Sequence, residues 1–243
     1  MPAPAALLVV QHQDNCPPAL FGDWLAAAGV RLDVRRPFAG DRLPAHLDDH
    51  DGLLVLGGAM GAHDDAAHPW LTPTKRLLRL AVEADHPALG ICLGHQLLAV
   101  ALGGVSERNP GGQTAGVRPI GWRPGAADDR MFGPHVDQAD PFVPHWNSDV
   151  VTRLPAGTRV LAATADGAPQ VIRTGERVWG VQFHPEADHA VVARWAEEDR
   201  ESASRRGLDV DQALQQVKEA EDRLFATGRL VAAAFADVVR EPR

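Results

Sequence analysis

The stretch Gly90-Ile91-Cys92-Leu93-Gly94 constrains this chain more than any other. An apolar run over 88–91 ends in a cysteine, and an apolar, helix-forming segment over 93–102 begins at once, with glycines two positions away on either side. That is the spacing of a nucleophile elbow, with Cys92 where the reactive serine stands in other elbow enzymes. A turn this sharp brings strand and helix so close that neither flanking position has room for a side chain. It lifts the sulfur out of the sheet and sets it at a helix N-terminus, where partial positive charge favours thiolate over thiol. By residue type alone a free cysteine is more often buried and inert. The paired glycines reverse that reading.

An elbow of this kind implies a strand–helix alternation around it. Strand-like runs fall at 5–10, 30–34, 53–56 and 88–92, and helical spacing at 19–28, 72–85 and 93–102. The expected fold is α/β, a doubly wound, mostly parallel sheet with helices on both faces. From 105 to 183 the chain changes to short β-like runs (116–122, 150–152, 159–163, 170–173, 177–183) between Pro, Gly and Asp turns. These are expected to extend the same sheet and add a small side sheet. The insert 123–140 reads as loop with one helical turn. After Pro185 the pattern is helical at 190–198, 210–225 and 230–239. The expected organisation is one domain over 1–195 with a helical extension over 196–243 packed on it.

A thiolate nucleophile needs a base to accept and return its proton, and the base needs an orienting partner. His184 follows the strand-like run 178–183, at the sheet edge where active sites of parallel α/β proteins gather. Glu186 is the nearest carboxylate able to fix its tautomer, so Cys92, His184 and Glu186 follow the logic of a triad distant in sequence and convergent in space. The loop Gly57-Gly58-Ala59-Met60-Gly61 follows a strand and could aim backbone N–H groups at a developing oxyanion, with Leu93 N–H as the second donor.

Three motifs carry a family resemblance: Gly-Ile-Cys-Leu-Gly-His-Gln at 90–96, the Gly-Gly loop at 57 and 58, and Gln-Phe-His-Pro-Glu at 182–186. Together, over roughly residues 5–195, they resemble the class I glutamine amidotransferases, most of all stand-alone members similar to the amidotransferase domain of GMP synthetase. The resemblance implies a flavodoxin-like fold and hydrolysis of the γ-amide of L-glutamine by Cys92, His184 and Glu186 through a glutamyl thioester. It implies an oxyanion hole from Gly58 and Leu93, substrate contacts from Gln96, Trp146 and Ser148, no cofactor, and ammonia delivered to an acceptor or a synthetase subunit in trans. In His145-Trp146-Asn147-Ser148-Asp149, Asn147 and Ser148 stand where the family usually has His and Gly, which bears on substrate identity more than on reaction type. A second departure lies at 112–116, where related proteins often carry an acidic residue before the glycine.

Two other readings stay open: a stand-alone γ-glutamyl peptidase or hydrolase using the same apparatus, and a non-catalytic subunit that keeps the fold. The second predicts decay of the triad or the glycine loop, and neither is seen.

Composition narrows the partners. The net charge of -8 argues against nucleic acid, since phosphate binding needs a basic footprint. No apolar run approaches the ~20 residues of a membrane span. The first ten residues lack a basic leader, so a reducing, cytoplasmic setting is expected. Cys16, outside any glycine frame, reads as incidental. His12, His63, His68, His86, His135 and His189 are scattered without a Cys partner, and His95 reads as packing or capping locally. His46 and His50, four apart, lack a third ligand, so no metal site is expected. Asp64-Asp65 and Asp128-Asp129 read as solvated turns.

Overall fold

The computed structural model describes residues 4–137 and 142–241, without the side chain of His135. The start of the N-terminal stretch, the end of the 123–140 insert and the side chain of His135 therefore lie outside the described residues. The first half alternates as its apolar pattern dictates: β1 (Ala5–Val10), α1 (Ala19–Ala27), β2 (Val30–Arg35), β3 (Gly52–Val55), α2 (Leu71–Glu83), β4 (Ala88–Ile91) and α3 (Leu93–Ala101). β5 (Val105–Arg108) and β6 (Thr114–Pro119) follow, then the single turn α4 (Gly133–Val136) and the strands β7 (Phe142–Asn147), β8 (Asp149–Arg153), β9 (Arg159–Ala163), β10 (Pro169–Thr174) and β11 (Val178–Val181). Three helices close the chain: α5 (His189–Arg205), α6 (Val210–Glu219) and α7 (Glu221–Arg240).

The main sheet runs β2-β1-β3-β4-β11-β10-β9. Its first five strands are parallel, and β10 and β9 add antiparallel to one edge. β1, β3, β4 and β11 are buried almost throughout, as expected of parallel strands covered on both faces. One face packs Leu7, Leu54, Ile91 and Trp179 against α1 and α7. The other packs Leu8, Leu53, Ile172 and Val178 against α2 and α3.

The expected side sheet is two separate antiparallel ribbons, β5–β8 and β6–β7. The run expected at 116–122 begins earlier, at Thr114, and ends at Pro119. The helix expected at 190–198 continues to Arg205, so the division expected after residue 195 falls inside α5. The helix expected over 210–225 breaks at Ala220, and its second part runs on through 230–239 as α7.

The Asp128-Asp129 reading is corrected. Asp129 is buried, its carboxylate accepting from the Met131 and Phe132 N–H groups and from Trp179 Nε1, with Arg173 at 3.3 Å. It pins the insert to the sheet. Asp65 likewise pairs with Lys75 at 2.6 Å, and Asp64 caps the glycine loop by accepting from Gly61 N–H at 2.7 Å. His50 is buried and meets Asp33 at 2.9 Å, in a stretch with no helix. Among the described residues no helix is long and apolar enough to cross a membrane, and no cluster of potential ligands could hold a metal.

Candidate active site

Cys92 joins β4 directly to α3 with φ 51° and ψ −103°, a conformation uncommon for a residue bearing a Cβ and costing ~1–3 kcal/mol where it occurs. The flanking glycines show what holds it. A Cβ on Gly90 would lie 2.4 Å from the Gly94 carbonyl oxygen, and one on Gly94 would lie 2.1 Å from the Val55 carbonyl oxygen of β3. Cys92 N–H donates to Val181 O at 2.8 Å, fastening the elbow to β11 as well.

β11 delivers His184 to the same edge of the sheet. Its backbone N–H donates to Pro144 O at 2.9 Å, and its Nδ1 meets Glu186 Oε1 at 2.6 Å. Both side chains are buried. Burial by itself lowers the imidazole pKa, but the Glu186 carboxylate and the nearby Cys92 outweigh it and lift the value to about 10. His184 is therefore a cation at neutral pH. A side-chain hydrogen bond with Cys92 also favours the protonated imidazole. The Trp195 ring lies against the imidazole, centroids 4.4 Å apart.

The glycine loop after β3 sits directly on the elbow. A Cβ on Gly58 would meet Leu93 Cδ2 at 2.9 Å, and one on Gly57 would meet His184 Cε1 at 3.2 Å and Cys92 Cβ at 3.7 Å. Neither Gly58 N–H nor Leu93 N–H donates to another described residue.

A cavity of about 520 Å³ opens over Cys92. Cys92, His184, Gly58, Gln96, Trp146 and Ser148 all line it, while Leu93 and Glu186 are not among its lining residues. Gln96 is already engaged, donating to Asp149 O at 2.9 Å and to Gln182 Oε1 at 3.3 Å.

Sequence reasoning missed several lining or supporting groups. Gln182 Nε2 lies 3.6 Å from Cys92 Sγ, and the only signal was its place two residues before His184. Trp195 was legible only as an apolar position of a helix. Cys16, read as incidental, lines this cavity, and burial followed by the charge of Glu186 and of Cys92 pushes its thiol pKa upward. Gln13, Asn15 and Glu198 also line it, with no local motif to mark them.

With this geometry in view, comparison with known proteins is direct. The family model for "Glutamine amidotransferase class-I" matches residues 23–194. YfeJ of Salmonella typhimurium, described as glutamine amidotransferase-like, is 28% identical over 170 residues, covering 67% of this chain and 68% of its own. One of the subunits of the glutamine-hydrolysing GMP synthase of Saccharolobus solfataricus is 37% identical over 110 residues, 44% of this chain and 54% of its own. The chain spans 26% of the length of the full GMP synthase of Symbiobacterium thermophilum, at 32% identity over 58% of this chain. Among solved structures, a glutamine amidotransferase of Methylobacillus flagellatus aligns over 99% of this chain and 97% of its own with a TM-score of 0.78 and 26% identity. One from Thermotoga maritima shares the fold over 98% and 99% with a TM-score of 0.83 at 23% identity.

Proposed function

The chain belongs to the class I glutamine amidotransferases, and from that premise we propose that it hydrolyses the γ-amide of L-glutamine and hands the ammonia to an acceptor or partner subunit. One observation carries this reading. Cys92, in a strained elbow, shares a cavity with a buried His184 that is held by Glu186 at 2.6 Å.

In the proposed reaction the Cys92 sulfur attacks the γ-carbonyl carbon, and the C=O electron pair moves onto oxygen. Gly58 N–H and Leu93 N–H, which have no other partner, hold that oxyanion. Collapse breaks the C–N bond, and His184 gives its proton to the departing nitrogen, which leaves as ammonia. The neutral imidazole then takes a proton from water as that water attacks the glutamyl thioester. The second intermediate expels the Cys92 thiolate and releases glutamate, with His184 again protonated. Glu186 keeps the imidazole in one tautomer throughout. Gln96, Trp146 and Ser148 line the cavity where the glutamyl portion would sit.

The cavity's volume favours a second reading. About 520 Å³ lies in the range of sites that take drug-sized ligands, well beyond what glutamine fills. A γ-glutamyl hydrolase acting on larger amides would use that space. Release of ammonia and glutamate from L-glutamine, set against cleavage of a γ-glutamyl dipeptide, separates the two. Turnover of glutamine that vanishes in Cys92→Ala supports the amidotransferase reading. Preference for the dipeptide supports the hydrolase, and turnover retained in Cys92→Ala overturns both.

A further inference from the structure

The oxyanion loop contains Gly57 and Gly58, the residues least able to hold a conformation by themselves. An oxyanion hole works through donors fixed in place before charge develops. Something must therefore hold this loop. Downstream, Gly61 N–H is held by Asp64. Next to the proposed donor, Ala59 N–H donates to Gln13 Oε1 at 2.7 Å. That bond fixes the Gly58–Ala59 peptide plane, which adjoins the Gly57–Gly58 plane that carries Gly58 N–H, and so limits the rotation open to the donor.

Gln13 is itself held. Its Nε2 donates to Asn15 Oδ1, and Asn15 Nδ2 donates to Glu198 Oε2 of α5. Asn15 is buried, and α5 grips it a second time where Trp195 Nε1 donates to its carbonyl oxygen at 2.8 Å. Trp195 and Glu198 are three apart and share one helix face. The same Trp195 ring packs on His184. One face of α5 thus reaches both the proposed general acid and, through Asn15 and Gln13, the oxyanion loop. Gln13, Asn15, Trp195 and Glu198 all fall outside the matched span 23–194.

We propose that Gln13, Asn15 and Glu198 are positioning residues, a relay by which α5 holds Gly58 N–H in its donating orientation, so that the oxyanion hole is complete in a single chain without a partner subunit. The proposal rests on the glutaminase reading above and adds what sets its oxyanion hole.

The test uses the full purified chain alone with L-glutamine, following ammonia and glutamate. Labelling of Cys92 by a glutamine-derived diazoketone serves as a probe of substrate binding and sulfur reactivity. The wild type turns over without a partner. Gln13→Leu and Glu198→Leu lower kcat by about 10- to 100-fold, below the loss from deleting an oxyanion donor outright. KM stays within about threefold and diazoketone labelling keeps its wild-type rate. Glu198→Gln, which keeps an accepting oxygen for Asn15, recovers most of the loss. Unchanged kcat in both leucine variants, or kcat and labelling falling together, overturns the relay. A wild type that is labelled at Cys92 but releases no ammonia overturns the relay and leaves the glutaminase reading standing. A wild type that is neither labelled nor active overturns that reading, and the relay with it.

Discussion

At the scale of single residues, the charge on His184 is the quantity on which the proposed chemistry turns. Burial works against the imidazolium, and the Glu186 carboxylate is the first influence that reverses it. The imidazole must carry its proton to release ammonia, so activity should be lost as pH rises through its pKa. The wild-type kcat/KM for glutamine should therefore hold through neutral pH and fall as pH approaches about 10. In Glu186→Gln the counter-charge is gone and burial prevails. The alkaline limb should move down by about one pH unit or more, and kcat at pH 7 should fall about 100-fold or more. A pH–rate profile for Glu186→Gln superimposable on the wild type would show that Glu186 does not set the charge of His184. The residues of the proposed triad could be picked out because each lies in a short local signature. Cys92 has its glycine frame, and His184 and Glu186 sit two apart beyond a strand. Gln13, Asn15 and Glu198 carry no such mark, since the bond from Asn15 to Glu198 joins residues 183 apart.

At the scale of elements, the parallel half of the sheet followed from apolar runs and glycine stops, because a strand buried on both faces needs little beyond its own composition. The helical tail was less legible. No glycine or proline marks the break at Ala220, and apolar spacing carries straight across it, so packing against the ribbon and against α1 decides where α6 ends. Asp129 was misread for a similar reason: a paired-Asp turn looks solvated until its partners are known. Those partners, Trp179 of β11 and Arg173 of β10, make it the tie between the 123–136 segment and the sheet. Asp129→Ala leaves the buried Arg173 guanidinium with only the exposed Glu176 carboxylate at 3.6 Å and should cost about 3–5 kcal/mol, a Tm loss on the order of 10 °C for a chain of this size. Adding Arg173→Met removes the orphaned charge and should recover a substantial part. A single variant within about 2 °C of the wild type, or a double variant less stable than the single, would contradict the assignment of this pair as the anchor.

For the molecule as a whole, buried histidines set a limit on the acid side. Burial lowers His12 and His145 to about 3 and His95 to about 4, and these three lie beneath the glycine loop, on β7 and on the elbow helix. The unfolded chain protonates them at about 6.5. Because the folded values are depressed, their contribution to stability is present in full above about 6.5 and is lost as pH falls below it, by up to about 2 kcal/mol each at pH 5. His184 has the opposite sign. Its raised folded value gives a contribution fully present below about 6.5 and lost as pH climbs toward about 10. Stability should therefore peak near neutrality and fall on both sides. Against a typical total of about 5–15 kcal/mol, acid unfolding should set in near pH 5. The variant His95→Gln checks the cause separately from the effect. It removes one of the three titrating groups, so its Tm should fall less steeply between pH 7 and pH 5 than that of the wild type, even if its Tm at pH 7 is lower. Parallel acid limbs in the two proteins would assign the acid sensitivity to groups other than His95.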